Sequence, residues 1–309
     1  MIAAFCTFLI IVSACITYIL ISTSKYPSYI PQAFPQAHQS SHPKEAYVLY
    51  DPASIQSDYM DYCHLLTLFS LKTDTELRDP SNRDVVVMVT NQTAEADIQQ
   101  LERAGAKIFR VPHSLRNVFP HRDSWPETYH YVWDKVWAFA LTEYDRVLYM
   151  DSDMVFNRPI HPIWESRNSM PEHRLAATAD WQGVYQTPMP DGPYFNSGFM
   201  MIRPDQQTFE EILRVDLSES SLQWPDQDLL NIYFSRDGPH PWVPLDHLFH
   251  SNMAKEEDLE AGTNVIQAKA WWDITNAGVQ NLWFERMGRM RGWRMAKEAR
   301  RKAQVSDNQ

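Results

Sequence analysis

The chain has 309 residues, of which 44% are hydrophobic and 13% aromatic, and its formal net charge is −11 at pH 7. This length and composition predict a globular protein that buries a substantial core in one large domain or two small ones. The acidic balance, without a basic stripe that carries aromatic residues, argues against nucleic acid as the main partner.

The amino-terminal segment differs in composition from the rest of the chain. Residues 2–21 are apolar and uncharged, and a run of this length can span a bilayer. A cleaved signal peptide is the alternative, but no basic segment precedes the run and no small-residue cleavage site clearly follows it. We therefore predict a transmembrane signal anchor over residues 1–24. Residues 25–44, with their prolines and polar side chains, are predicted to form an extended stem.

Strand and helix signals alternate after the stem. Strands are predicted at 46–49, 84–90, 107–111 and 146–150, and helices at 59–71, 94–104 and 133–141. This alternation predicts an α/β domain over residues 45–284, with a mostly parallel central sheet and helices on both faces. Ligands of such sheets bind beyond the carboxyl ends of the strands.

Two carboxylates, Asp151 and Asp153, follow the predicted strand 146–150 directly. Residues two apart in an extended chain point to the same side, so both side chains can face one ion. Oxygen ligands favour Mg²⁺ or Mn²⁺, and these ions keep positions that the phosphates of a substrate can fill. The pair therefore indicates a diphosphate substrate, although a solvated turn or a helix cap is an ordinary alternative.

Two polar clusters lie further along the chain. The first, Asn196, Ser197 and Gly198, precedes a predicted apolar strand, and these are common turn residues. The second, Asp226 and Gln227, stands at a predicted helix start, where Asp226 would also serve as a helix cap. Polar groups at element ends are typical of a binding site, and each cluster by itself leaves both interpretations open.

The order of these motifs resembles the glycogenin-like glycosyltransferases of family 8. The run DSD at 151–153 is followed by FNSG at 195–198 and DQDLLN at 226–231, and a lysine-bearing helix precedes the aspartate strand in the segment 134–153. The resemblance covers roughly residues 46–275. It implies a nucleotide-sugar transferase fold of the GT-A type, a UDP-sugar donor, Mn²⁺ with Mg²⁺ as an alternative, and retention of the anomeric configuration.

The resemblance also assigns roles to residues. It implies that Asp151 and Asp153 bind the metal and that Asp226 and Gln227 lie near the anomeric carbon. It further implies that Lys135 and Asp180 contact the donor and belong to the catalytic residues. The donor pocket that it implies consists of Ser152, Asn196, Ser197, Gly198 and Lys269. A solvated helix lysine and a turn aspartate remain the alternatives for Lys135 and Asp180.

One position departs from the family pattern. The family has a histidine as its third metal ligand near the end of the domain, whereas this chain has Gln267 there. A glutamine oxygen is a weaker ligand, and His247 or His250 are alternatives for the third position. The departure is also compatible with a relative that binds a sugar nucleotide or glycan without transferring it. A haloacid dehalogenase-like phosphatase would explain the Asp-x-Asp pair but neither of the later motifs.

The carboxyl-terminal residues 285–309 form a basic tail. Between Glu285 and Lys302, eight Lys or Arg residues accompany two Glu residues. Such a helix either lies against an anionic membrane or partner, or is a solvated terminal helix held by its aromatic side chains, and we favour the second interpretation.

The resemblance to family 8 implies a retaining glycosyltransferase with UDP-glucose or UDP-N-acetylglucosamine as donor and a glycan or glycoprotein as acceptor. The anchor and stem resemble those of fungal family members, which implies a single-pass type II membrane protein of the Golgi with a lumenal catalytic domain.

Overall fold

A computed structural model describes residues 43–52, 58–119, 125, 129, 131–169, 173–180, 192–218, 220, 222–267 and 276–306. The predicted anchor, the stem up to residue 42, and Lys269 lie outside these ranges. Within these ranges, no helix combines the length and the hydropathy that a membrane crossing requires.

The fold is organised around a seven-stranded sheet with the order β3-β2-β1-β4-β7-β6-β8, beside a smaller sheet with the order β5-β10-β9. The strands are β1 (Glu45–Asp51), β2 (Asp84–Val89), β3 (Lys107–Arg110), β4 (Arg146–Met150), β5 (Met154–Phe156), β6 (Leu175–Ala179), β7 (Phe195–Ile202), β8 (Val243–Pro244), β9 (His250–Ser251) and β10 (Val265–Gln267). The strands β3, β2, β1 and β4 are parallel, and β6 is parallel to β8. The prediction of a mostly parallel sheet is confirmed.

One strand, β7, runs antiparallel to both of its neighbours, β4 and β6. Its direction matters for the site because the amino end of β7 then lies at the same edge as the carboxyl ends of β4 and β6. The polar cluster Asn196–Gly198, predicted to precede a strand, lies inside the first half of β7. The register between β6 and β7 shifts at this point, which marks a bulge, but the residues lie within the strand and are not a turn.

Helices cover both faces of the larger sheet, as predicted. The α-helices are α1 (Asp58–Lys72), α2 (Glu95–Arg103), α3 (Gln206–Ile212), α4 (Pro225–Tyr233), α5 (Glu256–Ala261) and α6 (Ala277–Ser306), and the 3₁₀ helices are Leu115–Asn117, Val132–Ala140, His161–Glu165 and Arg167–Ser169. Alternate residues of β1 enter opposite cores: Tyr47 and Leu49 pack with α1 and α6, and Val48 packs with α3 and α4. Strands buried on both faces explain the unbroken apolar run of β2.

The segment predicted as an α-helix at 133–141 is a 3₁₀ helix, Val132–Ala140. Every residue from Trp133 to Ala140 is buried, so the segment needs neighbours on all sides and has no solvent-facing stripe. With three residues per turn, side chains at i and i+3 eclipse and form three rows around the axis, each of which is buried here. Asp134 ties this helix to β1, because its carboxylate accepts hydrogen bonds from the Tyr50 hydroxyl (3.2 Å) and the Leu115 backbone N–H (2.5 Å).

The carboxyl-terminal helix α6 has 30 residues and continues through the predicted domain boundary at residue 284. Its first half is packed against the core through Trp283, Met287 and Met290. Arg289 adds ion pairs to Asp74 (2.9 Å) and Glu76 (2.8 Å). This half agrees with a terminal helix held by its aromatic and apolar side chains.

Candidate active site

The candidate residues converge at the carboxyl edge of the larger sheet. Asp151 follows β4 and Asp180 follows β6, while the reversed strand β7 presents Asn196, Ser197 and Gly198 between them. The backbone N–H of Asp151 donates to the carbonyl oxygen of Gly198 (2.8 Å), which ties the metal-pair segment to β7. Sequence motifs that are about 30 to 45 residues apart are thus neighbours in space.

Lys135 is the centre of this arrangement. Its ammonium nitrogen lies 3.0 Å from Asp151 Oδ1 and 2.9 Å from Asp226 Oδ2, and the residue is 9% exposed. It joins one aspartate of the Asp-x-Asp pair to the aspartate of the DQDLLN motif. The alternative of a solvated helix lysine is wrong.

The charge on Lys135 is stabilised despite its burial. Burial alone would lower its pKa, but the carboxylates of Asp151 and Asp226 outweigh burial and raise the pKa above the usual value. The neighbouring phenol of Tyr149 donates to Asp151 Oδ1 (3.1 Å), and burial together with Asp151 and Asp226 raises the pKa of Tyr149 well above its usual value. Both groups therefore keep their protons at neutral pH.

Asp226 is held by two donors and does not cap its helix. Its Oδ2 accepts from the Ser197 hydroxyl (2.8 Å) as well as from Lys135, and it is 6% exposed. The residue that closes the start of α4 is Asp228, whose carboxylate accepts from the backbone N–H groups of Gln223 (2.6 Å) and Trp224 (2.8 Å). The capping role considered for Asp226 is wrong, since the N-cap residue of α4 is Trp224, whose side chain makes no cap hydrogen bond.

Gln227 connects the same helix to Asp180. Its side-chain oxygen accepts from the Ser197 backbone N–H (2.9 Å), and its amide nitrogen donates to Asp180 Oδ2 (2.6 Å). The other oxygen of Asp180 accepts from the amide of Asn252. Asp180 is therefore part of a side-chain network and not an isolated turn residue.

The backbone at Gly198 lies so close to Asp151 and Asn196 that the position has no room for a side chain. A Cβ atom there would lie 2.7 Å from Asp151 Oδ2 and 2.9 Å from Asn196 Oδ1, which is too close for a side chain. The Asn196 oxygen accepts from the Gly198 N–H (2.9 Å), so Asn196 shapes this approach. Ser152, between the two aspartates, is buried.

The donor set around Asp153 fits a hard divalent cation. The register of β10 against β5 places Gln267 beside the start of β5, and the Gln267 amide nitrogen lies 3.1 and 3.0 Å from the two oxygens of Asp153. The Gln267 oxygen is buried and meets no hydrogen-bond partner within the described part of the chain. Asp151, Asp153 and, after rotation of its amide, Gln267 would offer oxygen ligands of the kind that Mn²⁺ and Mg²⁺ prefer.

The two histidines considered as third ligands are engaged elsewhere. His250 stacks on Phe199 (ring centroids 4.7 Å apart), and its Nδ1 lies 2.8 Å from the Thr178 hydroxyl. His247 lines a separate cavity of about 550 Å³ together with Arg167 and Asp246. Within the ranges that the structure describes, no three His, Cys, Asp or Glu residues form a metal-binding group. Gln267, in contrast, has a hydrogen bond to Asp153 of the pair.

Two site residues were not singled out from the sequence. Asn231 lies in the DQDLLN motif, and its side chain locks α4 to β7 through the backbone N–H and carbonyl of Phe195 (both 2.9 Å). Its position four residues after Gln227 on a helix was an available signal. Asn252 follows the two-residue strand β9, and nothing in its local sequence pattern indicates the contact with Asp180.

Similarity to known proteins agrees with this geometry. The chain is 35% identical over 105 residues to an uncharacterized protein of Schizosaccharomyces pombe, covering 32% of this chain and 28% of that protein. It is 30% identical over 155 residues to UDP-glucuronate:xylan alpha-glucuronosyltransferase 1 of Arabidopsis thaliana, covering 50% of this chain and 20% of that protein. The chain spans between 20% and 28% of the length of the first curated relatives that it matches.

Solved structures share the fold. An active-site mutant of LgtC superposes with a TM-score of 0.52 at 18% identity, covering 79% of this chain and 95% of that one. This likeness confirms the prediction of a GT-A type fold. The sequence profile of glycosyl transferase family 8 matches residues 7–271. Since that match covers most of the 309 residues, the chain belongs to glycosyl transferase family 8.

Proposed function

We propose that this chain is a retaining, metal-dependent glycosyltransferase that moves a sugar from a UDP-sugar to a glycan or glycoprotein. The observation that carries the proposal is the buried Lys135 ammonium, which bridges Asp151 and Asp226 at the carboxyl edge of the sheet. It links the residues that would hold the diphosphate end of a donor to those that would face its sugar.

The reaction breaks the bond between the anomeric carbon and the diphosphate oxygen. Negative charge develops on the leaving diphosphate and positive charge on the anomeric carbon, and preorganised charges of opposite sign stabilise each. When bound, the cation would supply further positive charge to the diphosphate, and Asp151, Asp153 and Gln267 are the residues that would hold it. Lys135 is a cation that this chain itself provides at that end.

Asp226 is the group proposed to face the anomeric carbon. Lys135 and Ser197 both donate to its Oδ2, so the charge is held in place, and Oδ1 is the oxygen proposed to act. Two routes give retention: a covalent bond from Asp226 to the anomeric carbon, followed by displacement, or attack of the acceptor hydroxyl on the face from which the diphosphate leaves. In the second route the leaving phosphate oxygen takes the proton of the acceptor hydroxyl, and no separate base is needed.

The identity of the donor sugar is to be determined among a few candidates. The family resemblance suggests UDP-glucose or UDP-N-acetylglucosamine, and the name of the Arabidopsis relative adds UDP-glucuronate to the donors worth testing. The network of Gln227, Asp180 and Asn252 is the part of the site proposed to contact sugar hydroxyls. A site that hydrogen-bonds its substrate discriminates strongly against sugars without the matching hydroxyl.

Donor hydrolysis by the purified full-length chain tests the proposal. The panel contains UDP-glucose, UDP-N-acetylglucosamine, UDP-galactose and UDP-glucuronate, each with Mn²⁺ and with a chelator. We expect turnover of one donor that requires the metal and disappears in Asp151→Asn/Asp153→Asn. The matched control Asp216→Asn/Asp237→Asn changes two exposed aspartates and should behave as wild type. Turnover of a donor that persists in the Asp151→Asn/Asp153→Asn protein would refute the proposal.

A second candidate function is binding of a sugar nucleotide without transfer. It is favoured by one observation, that the Gln267 amide donates to both oxygens of Asp153 and so occupies the carboxylate that the cation would need. UDP binding without turnover of any donor, in the presence of a broad set of glycan acceptors, would support this candidate.

We also propose that residues 1–24 anchor the protein as a single-pass type II membrane protein of the Golgi. The uncharged apolar run at 2–21 supports this proposal. A carboxyl-terminal epitope should then resist protease in intact vesicles and become sensitive after detergent. An epitope that is digested in intact vesicles would contradict the orientation.

A further inference from the structure

Two unfavourable features occur at consecutive residues next to the candidate site. Met253 has a φ of 57°, a left-handed conformation that side chains other than glycine, asparagine and aspartate rarely adopt. Asn252 has a side-chain oxygen that is buried and meets no hydrogen-bond partner among the residues that the structure describes. Such features persist where the surrounding structure requires them, and they concentrate at functional sites.

The tight turn at these residues directs the Asn252 amide at Asp180. The amide nitrogen of Asn252 donates to Asp180 Oδ1, and the Gln227 amide nitrogen donates to Oδ2 (2.6 Å). The two donors come from different elements, the segment after β9 and the helix α4. Together they fix the plane of the Asp180 carboxylate relative to Ser197, which Gln227 also contacts through its oxygen (2.9 Å).

We propose that Asn252 is a positioning residue for the sugar donor, acting through Asp180. It fixes the orientation of the carboxylate in which Asp180 accepts from hydroxyl groups of the sugar. The inference rests on the proposed function, because it assumes that Asp180 contacts the sugar of a UDP-sugar. It extends that function because Asn252 lies outside the sequence motifs. Its role is to favour binding of the UDP-sugar over binding of UDP alone.

The chemistry requires an N–H donor at this position. A carboxylate accepts hydrogen bonds and cannot donate them, so the amide must turn its nitrogen to Asp180 and its oxygen away. This orientation accounts for the unsatisfied Asn252 oxygen, because rotation of the amide would set two oxygens against each other. An aspartate at position 252 would have the same size but would place two carboxylates in contact. Such a pair shares one proton, and one of its pKa values rises.

The variant Asn252→Asp therefore provides a pH-dependent test. We measure kcat and KM for the donor from pH 5 to pH 8.5 in the wild type, Asn252→Asp, Asn252→Ala and Asn82→Asp. Asn82 is the control: like Met253, the neighbour of Asn252, it lies at a turn with a positive φ (53°), it is exposed, and it precedes β2 at the opposite edge of the sheet. Affinities for UDP and for the UDP-sugar are measured by calorimetry on the same proteins.

We expect Asn252→Asp to lose about 100-fold in kcat/KM at pH 8 and to recover about tenfold by pH 5.5, as the shared proton restores a donor. Its affinity for UDP should equal that of the wild type at both pH values, and only the UDP-sugar affinity should fall. Asn252→Ala should lose about tenfold in kcat/KM at every pH, and Asn82→Asp should match the wild type.

The outcomes separate this inference from the proposed function. If Asn252→Asp shows the wild-type pH profile and the wild-type ratio of UDP-sugar to UDP affinity, the positioning role is refuted while transfer stands. If both ligands bind more weakly in proportion, Asn252 is merely structural and the inference is likewise overturned. If the wild type binds a UDP-sugar but transfers none, the proposed function fails, and the affinity ratio still decides the role of Asn252. A wild type that binds no UDP-sugar refutes both.

Discussion

Two buried charge clusters occupy opposite edges of the same sheet, and they are built differently. The amino-end cluster consists of Glu45, Asp79, Arg83 and Arg146, at the starts of the parallel strands. The carboxyl-end cluster consists of Asp151, Asp153, Asp180, Asp226 and Lys135. The first has two acidic and two basic side chains, whereas the second has four acidic side chains and one basic one.

The amino-end cluster is balanced in charge and closed by hydrogen bonds. Arg83 joins Glu45 (2.5 Å) to Asp79 (2.9 Å), and Arg146 contacts Glu45 and the carbonyl oxygens of Trp164 (3.0 Å) and Ser169. Its balanced charge requires no cation, although the buried Arg146 Nε meets no hydrogen-bond partner among the described residues. Its role is to hold the starts of β1, β2 and β4 together.

Among the residues that the structure describes, the carboxyl-end cluster has an excess of negative charge in a partly buried place. Like charges at short range oppose each other, so this arrangement is unfavourable unless something positive joins it. Lys135 neutralises one charge, and a divalent cation would neutralise two more. In this fold, charge balance more than burial separates the structural cluster at the amino end from the proposed binding site at the carboxyl end.

The largest expected effect comes from Asp226→Asn. It removes the carboxylate proposed to face the anomeric carbon, while Lys135 keeps its contact with Asp151. We expect kcat to fall about 10³-fold and the free energy of unfolding to change by less than about 1 kcal/mol. Donor turnover and urea unfolding measure the two quantities. Asp205→Ala, which removes the cap of α3, is the control and should destabilise by about 1 kcal/mol without slowing turnover.

At the amino-end cluster we expect a large effect on stability and no effect on turnover. Glu45→Gln breaks the contacts of a buried carboxylate with two guanidinium groups, and we expect a loss of about 3 kcal/mol in the free energy of unfolding. The turnover per folded molecule should be unchanged. The control Glu143→Gln breaks an exposed pair with Lys44 and should cost less than about 1 kcal/mol. A Glu45→Gln protein with wild-type stability but slower turnover would contradict the structural role of the amino-end cluster.

A smaller effect is expected from Gln267→His. An imidazole beside Asp153 would supply the ligand that the family pattern has and would remove the amide that donates to this carboxylate. We expect Mn²⁺ to bind about tenfold more tightly than in the wild type. Calorimetric titration of Mn²⁺ measures this without any turnover. An unchanged affinity in Gln267→His, alongside an unchanged affinity in Gln267→Ala, would show that position 267 does not reach the cation.

The smallest expected effect is a difference in pH dependence. Burial alone would raise the pKa of Asp79, but the Arg83 guanidinium, the Ser81 N–H and the Tyr47 hydroxyl outweigh burial and lower the pKa below its usual value. The ionised carboxylate thus stabilises the fold above about pH 4, and this contribution is lost as the pH falls through the folded-state pKa. Urea unfolding between pH 5 and pH 2.5 should show a decline that is shallower in Asp79→Asn. Parallel curves would contradict this assignment.

Much of this organisation could be predicted from the sequence. The strands β1 to β4 follow from unbroken apolar runs, and Asp151 and Asp153 follow from their place at the end of one of them. The reversed direction of β7 could not be read locally, because it depends on which strands pair. The contacts of Gln267 and Asn252 depend on the smaller sheet, whose strands have only two or three residues and carry almost no pattern. The 3₁₀ geometry of the helix that carries Lys135 could not be predicted. Residues buried on every side of a helix show no periodic spacing of apolar positions from which the helix type could be inferred.

The most direct test of the central claim is the binding of UDP by the full-length chain, measured by calorimetry with Mn²⁺ and with a chelator. If the acidic excess at the carboxyl edge exists to receive a cation and a diphosphate, UDP should bind at least about tenfold more tightly with Mn²⁺. The Asp151→Asn/Asp153→Asn protein should lose this difference. Equal UDP affinity with and without the metal, or a metal effect that survives in that protein, would contradict the account.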